Sequence, residues 1–217
     1  MRLAAMLLLS FILAMIYGSA FLSFFSSASI QISPSILILS MLFNLAIMGG
    51  GGILVAFLLH GSWSKALDAI GFKSRDITRS IFYGIIAALA FILASSLIIS
   101  AIGYEEENPL AEEIVSSLNI YILFLLPTLS ALSEEIFFRG LIQNHLEKGS
   151  NCIIAILATS MMFSLAHIEY KAMVEIIATF SFSIVLGYLM HKTKNIASPI
   201  TAHFIYNFIA LLPFYLK

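Results

Sequence analysis

The sequence predicts an all-α fold, a polytopic transmembrane helical bundle. Three observations predict it. Of its 217 residues, 60% are hydrophobic and 11% charged, against roughly 45–50% and about 25% in a soluble domain. Mean hydropathy is +1.01. The apolar residues also fall in runs long enough to cross a bilayer, which takes about 20 residues. A net charge of −1 with no basic run excludes nucleic acid as a partner. The single cysteine, Cys152, rules out an intramolecular disulfide or a cysteine-based metal cluster. It reads as a small packing residue. The length suits one integral membrane domain over 1–217.

The first span runs from Leu3 to Phe25 after Arg2. Gly18-Ser19-Ala20 resembles a signal-peptidase site, but the apolar run continues past it and exceeds a signal-peptide core. Ser33-Pro34 opens a second span ending near Leu59. Its Gly49-Gly50-Gly51-Gly52 run either weakens the helix or lets a neighbour approach closely, and close packing is the reading preferred. Between His60 and Arg79, Trp63, Ala66, Leu67 and Ile70 share one face, which predicts a short interfacial helix and a turn at Gly71. Ile81 to Ile102 makes the third span. The loop after it carries Glu105, Glu106, Glu107, Glu112 and Glu113 with no base among them, a solvated outer loop or a cation site.

The fourth span covers Asn119 to Asn144, with a kink expected near Pro127. Cys152 to His167 is the fifth and Lys171 to His191 the sixth. Asn195 to Tyr215 is the seventh, started by Ser198-Pro199. One re-entrant or split segment would make the count eight. With the N-terminus in the cytoplasm, Arg2, Lys65, Lys73, Arg75, Arg79, Lys148, Lys192 and Lys194 all fall inside, and only Lys171 and Lys217 outside. The C-terminus is then external.

Ionisable groups in such spans cost about 2.5–3.5 kcal/mol each on insertion scales, so they persist where they pair, face a polar cavity or do chemistry. The fourth span holds Ser133-Glu134-Glu135-Ile136-Phe137-Phe138-Arg139. Glu135 and Arg139 have the i,i+4 spacing at which an acid lying N-terminal to a base pairs with it. Glu134 points about 100° away from that pair and is left to face a cavity. His167 ends the fifth span after Phe163, and His203 and Asn207 share a face of the seventh. Each alone could be a satisfied core residue. Together they contain a carboxylate and an imidazole to activate water, with a second imidazole and an amide to supply donors to an oxyanion.

This pattern resembles the CPBP intramembrane proteases, the CAAX proteases and bacteriocin-processing proteins that include the type II CAAX prenyl endopeptidases. Glu134, Glu135 and Arg139 match the first family motif, Phe163 and His167 the second, and His203 and Asn207 the third. The resemblance covers a motif-bearing core of about 119–214 and implies a conical catalytic cavity within the last four spans. It implies that Glu134, assisted by His167, activates water and that His203 and Asn207 stabilise the oxyanion. Glu135, Arg139 and Phe163 then support the site. The implied substrate is a peptide or lipidated protein, the prenylated C-terminal peptide being the best-known case, met among membrane lipids. No cofactor is expected. The alternative is a zinc site of Glu134, His167 and His203, although the helical His-Glu-x-x-His zinc signature does not occur.

Two other function classes remain open. A transporter would use Glu134 and the histidines as a proton or cation relay, but inverted repeats and paired broken helices are missing. A silent scaffold or immunity factor would keep the fold without the chemistry.

Counting along the helices puts Glu134 about 15 Å, His203 about 12 Å and His167 about 24 Å from the inner ends of their spans. The three meet only if the fifth span is tilted, starts later or is drawn inward. The depths of Glu134 and His203, with the basic flanks, place the expected access route on the cytoplasmic side.

Overall fold

The computed structural model describes residues 1–26, 33–103 and 108–216. Glu105, Glu106 and Glu107 of the acidic loop, and Lys217, lie outside the described residues. The described residues are helical, with no strand among them. Seven helices are long and apolar enough to cross a membrane. In order, the helices are α1 (Arg2–Phe25), α2 (Pro34–His60), α3 (Trp63–Ile70), α4 (Ile77–Ile102) and α5 (Pro109–Ser116). Then come α6 (Ile120–Gly149), α7 (Cys152–Leu165), α8 (Met173–Thr193) and α9 (Ala197–Tyr215). A 3₁₀ turn, Ile168–Tyr170, extends α7.

Chain direction gives the bundle two ends. The end holding α3 receives the N-terminus, the α6–α7 turn and the α8–α9 turn. The end holding α5 receives the α7–α8 turn. Side chains such as Leu93, Leu97 and Ile98 on α4 stay exposed, as expected of a face that meets lipid rather than water. The core surrounds α6, where Phe137, Phe138, Glu135, Arg139 and Gln143 are fully buried.

The glycine run of α2 is what lets that helix lie on α6. A methyl group at Gly49 would stand 3.6 Å from the Ser133 Cα, and one at Gly52 would stand 3.7 Å from the Phe137 Cα. Small residues permit such approaches where lipid supplies no hydrophobic drive between helices. Gly84 does the same for α4, where a methyl would come within 2.5 Å of the Ser198 carbonyl oxygen on α9. Leu45–Gly50 adopts a π-helical turn, so the glycines also loosen the α ladder. Pro127 sits inside the regular α-helical stretch Ile120–Glu135, where the Thr128 and Ser130 hydroxyls donate to the Phe124 and Leu126 carbonyls. The departure from α geometry lies further on, at the π-helical stretch Ile136–Gln143.

α3 is the short helix expected from the face of Trp63, Ala66, Leu67 and Ile70, and Ala66 and Ile70 turn that face into the protein. Ser62 caps its start, and Gly71 ends it at φ +101°, a left-handed conformation that suits glycine. Trp63 stacks on Phe57 at 4.3 Å between ring centroids. Ile70 is fully buried against Gly140, where a methyl would meet its Cγ2 at 2.5 Å.

The depth conflict resolves in the lengths of α6 and the placing of α9. α6 does not stop at Asn144 but continues to Gly149. Glu134 is therefore 15 residues from that end, and His167 is 15 residues from the start of α7, about 20 Å in each case. α9 starts deeper. The Ile196 N–H donates to the Gly71 carbonyl at 2.9 Å, and Asn195 Nδ2 donates to the carbonyls of Lys73 and Arg75 at 3.0 and 3.2 Å. Through Gly71 and Ile70, the start of α9 lies level with Gly140. Glu134 and His203 are then each about 10 Å beyond that level.

Candidate active site

α6, α7 with the turn after it, and α9 bring the motif residues Glu134, Glu135, Arg139, Phe163, His167, His203 and Asn207 to one place. Glu134 Oε2 lies 3.7 Å from His167 Nε2 and 4.0 Å from His203 Nε2. Glu135, one residue on, is turned into the protein and is fully buried. Its Oε1 accepts from Arg139 at 3.0 Å and from His203 Nδ1 at 2.7 Å. The two adjacent glutamates thus have different surroundings, one lining a cavity and one committed to a buried pair.

Each ring has one nitrogen occupied. His203 gives Nδ1–H to a carboxylate, which aims Nε2 at the cavity. His167 Nδ1 lies 2.8 Å from the Phe163 carbonyl, an acceptor, so its Nδ1 carries the proton and its Nε2 faces Glu134. Tyr170 stacks on His167 with planes 9° apart. Phe163 has a second contact, the Arg139 guanidinium 4.3 Å from its ring centroid. Asn207 Nδ2 donates to Ser130 Oγ at 3.1 Å. Ser130 itself donates to the Leu126 carbonyl, so its lone pairs are free to hold the amide.

Several contributors were not singled out in the sequence. Ser183 on α8 accepts from Arg139 at 2.6 Å, and Gln143 donates to the Gly187 carbonyl at 2.9 Å. Both contacts tie α6 to α8. Their signal was a row four residues apart, Glu135, Arg139, Gln143 and Glu147, facing a second row, Ser183 and Gly187. Ser130, Glu169 and Glu175 carried no signal beyond polarity.

The cavity has a volume of about 270 Å³ and is lined near its floor by Glu134, His167, His203 and Asn207. Toward its mouth it is lined by Leu110 and Ile114 of α5, by Glu169 and Tyr170, and by Glu175 at the start of α8. These belong to the α5 end. Below Glu134, toward α3, α6 offers only buried side chains as far as Gln143, Phe137, Phe138 and Arg139 among them. The lining residues thus lie toward the α5 end, whereas the helix depths lead to an expectation of access from the basic end. Thr201 does not line it but packs against Gly84.

A tetrahedral zinc with ligand bonds of about 2.0–2.1 Å would draw its ligand atoms to roughly 3.4 Å apart. Among the described residues no three His, Cys, Asp or Glu side chains are disposed to hold a metal ion. The set Glu134, His167 and His203 does not fit one as arranged.

Residues 116–209 match the family model described as type II CAAX prenyl endopeptidase Rce1-like. The chain is also 31% identical over 135 residues to the uncharacterized protein YpbD of Bacillus subtilis (strain 168). That alignment covers 60% of this chain and 66% of the relative. No solved structure matches.

Proposed function

We propose, for a chain whose residues 116–209 match the Rce1-like model of type II CAAX prenyl endopeptidases, that it is an intramembrane endopeptidase acting through Glu134. One observation carries this reading. Of the two adjacent glutamates Glu134 is the one that faces the cavity, with two imidazole Nε2 atoms within 4.0 Å, while Glu135 beside it is held by Arg139 and His203.

In this reading a water molecule sits between Glu134 and His167, whose separation of 3.7 Å suits a bridging hydroxyl. Glu134 takes a proton from the water as its oxygen attacks the scissile carbonyl carbon. The carbonyl π pair moves onto oxygen. His203, as an imidazolium whose Nδ1–H is held by Glu135, gives its Nε2–H to that oxyanion beside the Asn207 amide. Glu134 then gives its proton to the leaving nitrogen, and the oxyanion pair re-forms the carbonyl as the C–N bond breaks. A carboxylic acid and an amine result, which exchange the remaining water proton to leave as carboxylate and ammonium. Arg139 and Glu135 hold His203 in place and touch no reacting atom. No step runs through a metal.

The substrate is a peptide segment or lipidated protein that reaches the cavity from the membrane. Any hydrolysed bond must be in extended chain drawn to the cavity floor. The test is hydrolysis of peptides by purified protein in detergent, where no ion gradient exists. Wild type should cleave and Glu134→Gln should not. A relay or transporter would hydrolyse nothing in either form.

A further inference from the structure

Resting on the protease reading, we infer that Glu169 and Glu175 select substrates carrying a lysine or arginine beside the scissile bond, and select against a free C-terminal carboxylate there. Both side chains line the same cavity as Glu134, in its outer part. No lysine or arginine lines it. The nearest lysine or arginine in sequence, Lys171, sits between the two acids but is turned away, donating its ammonium to the Ser26 carbonyl at 2.5 Å, so His167 is the base that faces them. Among the described residues no ion pair joins Lys171 to either glutamate.

Carboxylates that are half-buried and unpaired lose solvation without gaining a partner. An ammonium or guanidinium from a bound peptide supplies that partner and places its own backbone against the floor. A peptide ending in a carboxylate meets the reverse. The C-terminal Cys-a-a-X segment ends within three residues of its cysteine, so its terminal charge would lie among Glu134, Glu169 and Glu175. Capture of such a terminus calls for a cation or backbone donors. The outer cavity offers carboxylates instead. The charge of this lining therefore points to an internal or cationic segment as substrate.

The test measures binding, so it does not depend on turnover. Glu134→Gln protein in detergent is titrated with short fluorescent apolar peptides that differ at one central position, lysine, norleucine or glutamate. Each is made with a free or an amidated C-terminus. The lysine amide should bind at least about tenfold tighter than the glutamate free acid, with a preference that falls as salt rises. Glu169→Gln with Glu175→Gln should erase that difference, and Glu175→Lys should invert it. Equal binding across the series, or tighter binding of the free acid, overturns the inference whatever the variants do. Wild-type cleavage is scored separately. Charge-selective binding without cleavage would remove the protease reading and leave the selectivity standing, whereas cleavage without charge preference would do the opposite.

Discussion

Glu135 and Arg139 form an ion pair at 3.0 Å in which neither side chain has any exposure. Arg139 adds Ser183 and the Phe163 ring to its partners, and Glu135 adds His203. A buried pair is weak evidence for net stability, because desolvation offsets attraction, but breaking one strands a charge. Its role here is placement of His203, through the 2.7 Å bond to Nδ1.

Arg139→Ala and Glu135→Ala should each cost about 3–5 kcal/mol in stability, since each leaves an uncompensated buried charge. Thermal melts in detergent check this, read beside activity. A normal melting temperature with no activity would assign the pair to catalysis instead.

Asn207 and Ser130 separate chemistry from positioning. Removing an oxyanion donor with Asn207→Ala should lower kcat by about 10²–10³-fold. Ser130→Ala keeps the amide and removes its anchor, so its loss should be smaller, on the order of tenfold. Equal losses would make Ser130 part of the donor set.

Metal dependence is decided by chelation. Protein stripped with a strong chelator should keep its activity, and metal analysis should find zinc well below one per chain. Loss of activity that zinc alone restores would establish the metalloenzyme.

The direction of the cavity is tested by thiol labelling in a Cys152→Ala background. The expected topology has the α3 end in the cytoplasm, and the cavity lining lies toward the α5 end. Tyr206→Cys, in the cavity lining, should react with an impermeant maleimide in right-side-out vesicles and resist it in inside-out ones. Lys65→Cys on α3 should show the reverse. If both react from the same side, the cavity opens where α3 lies.

The spans were legible because an apolar run of bilayer length has few other uses, and the motif because charge inside such a run is costly. Depth was less legible. His145, Glu147 and Lys148 read as loop, yet they continue α6, because Glu147 finds Lys194 at 2.6 Å and His191 at 3.2 Å. Likewise the burial of Asn195 against the α3–α4 turn, which draws α9 inward, is a long-range contact with no local pattern. The side from which the cavity is reached is also not written in local charge. Basic residues report how the chain sits across a membrane, while a cavity is set by which helix faces meet, and here the lining draws on α2, α5 and the α7–α8 turn as well as the motif helices. Ser183 and Ser130 are small polar residues whose roles depend on the partners facing them.

The most direct test of the central claim, that Glu134 delivers water to a peptide bond, is terminal mass spectrometry of peptides cleaved in oxygen-labelled water. The account predicts that wild type yields a new C-terminus carrying one solvent oxygen, and that Glu134→Gln and His167→Ala yield no such product. Cleavage by Glu134→Gln at the wild-type rate would contradict it.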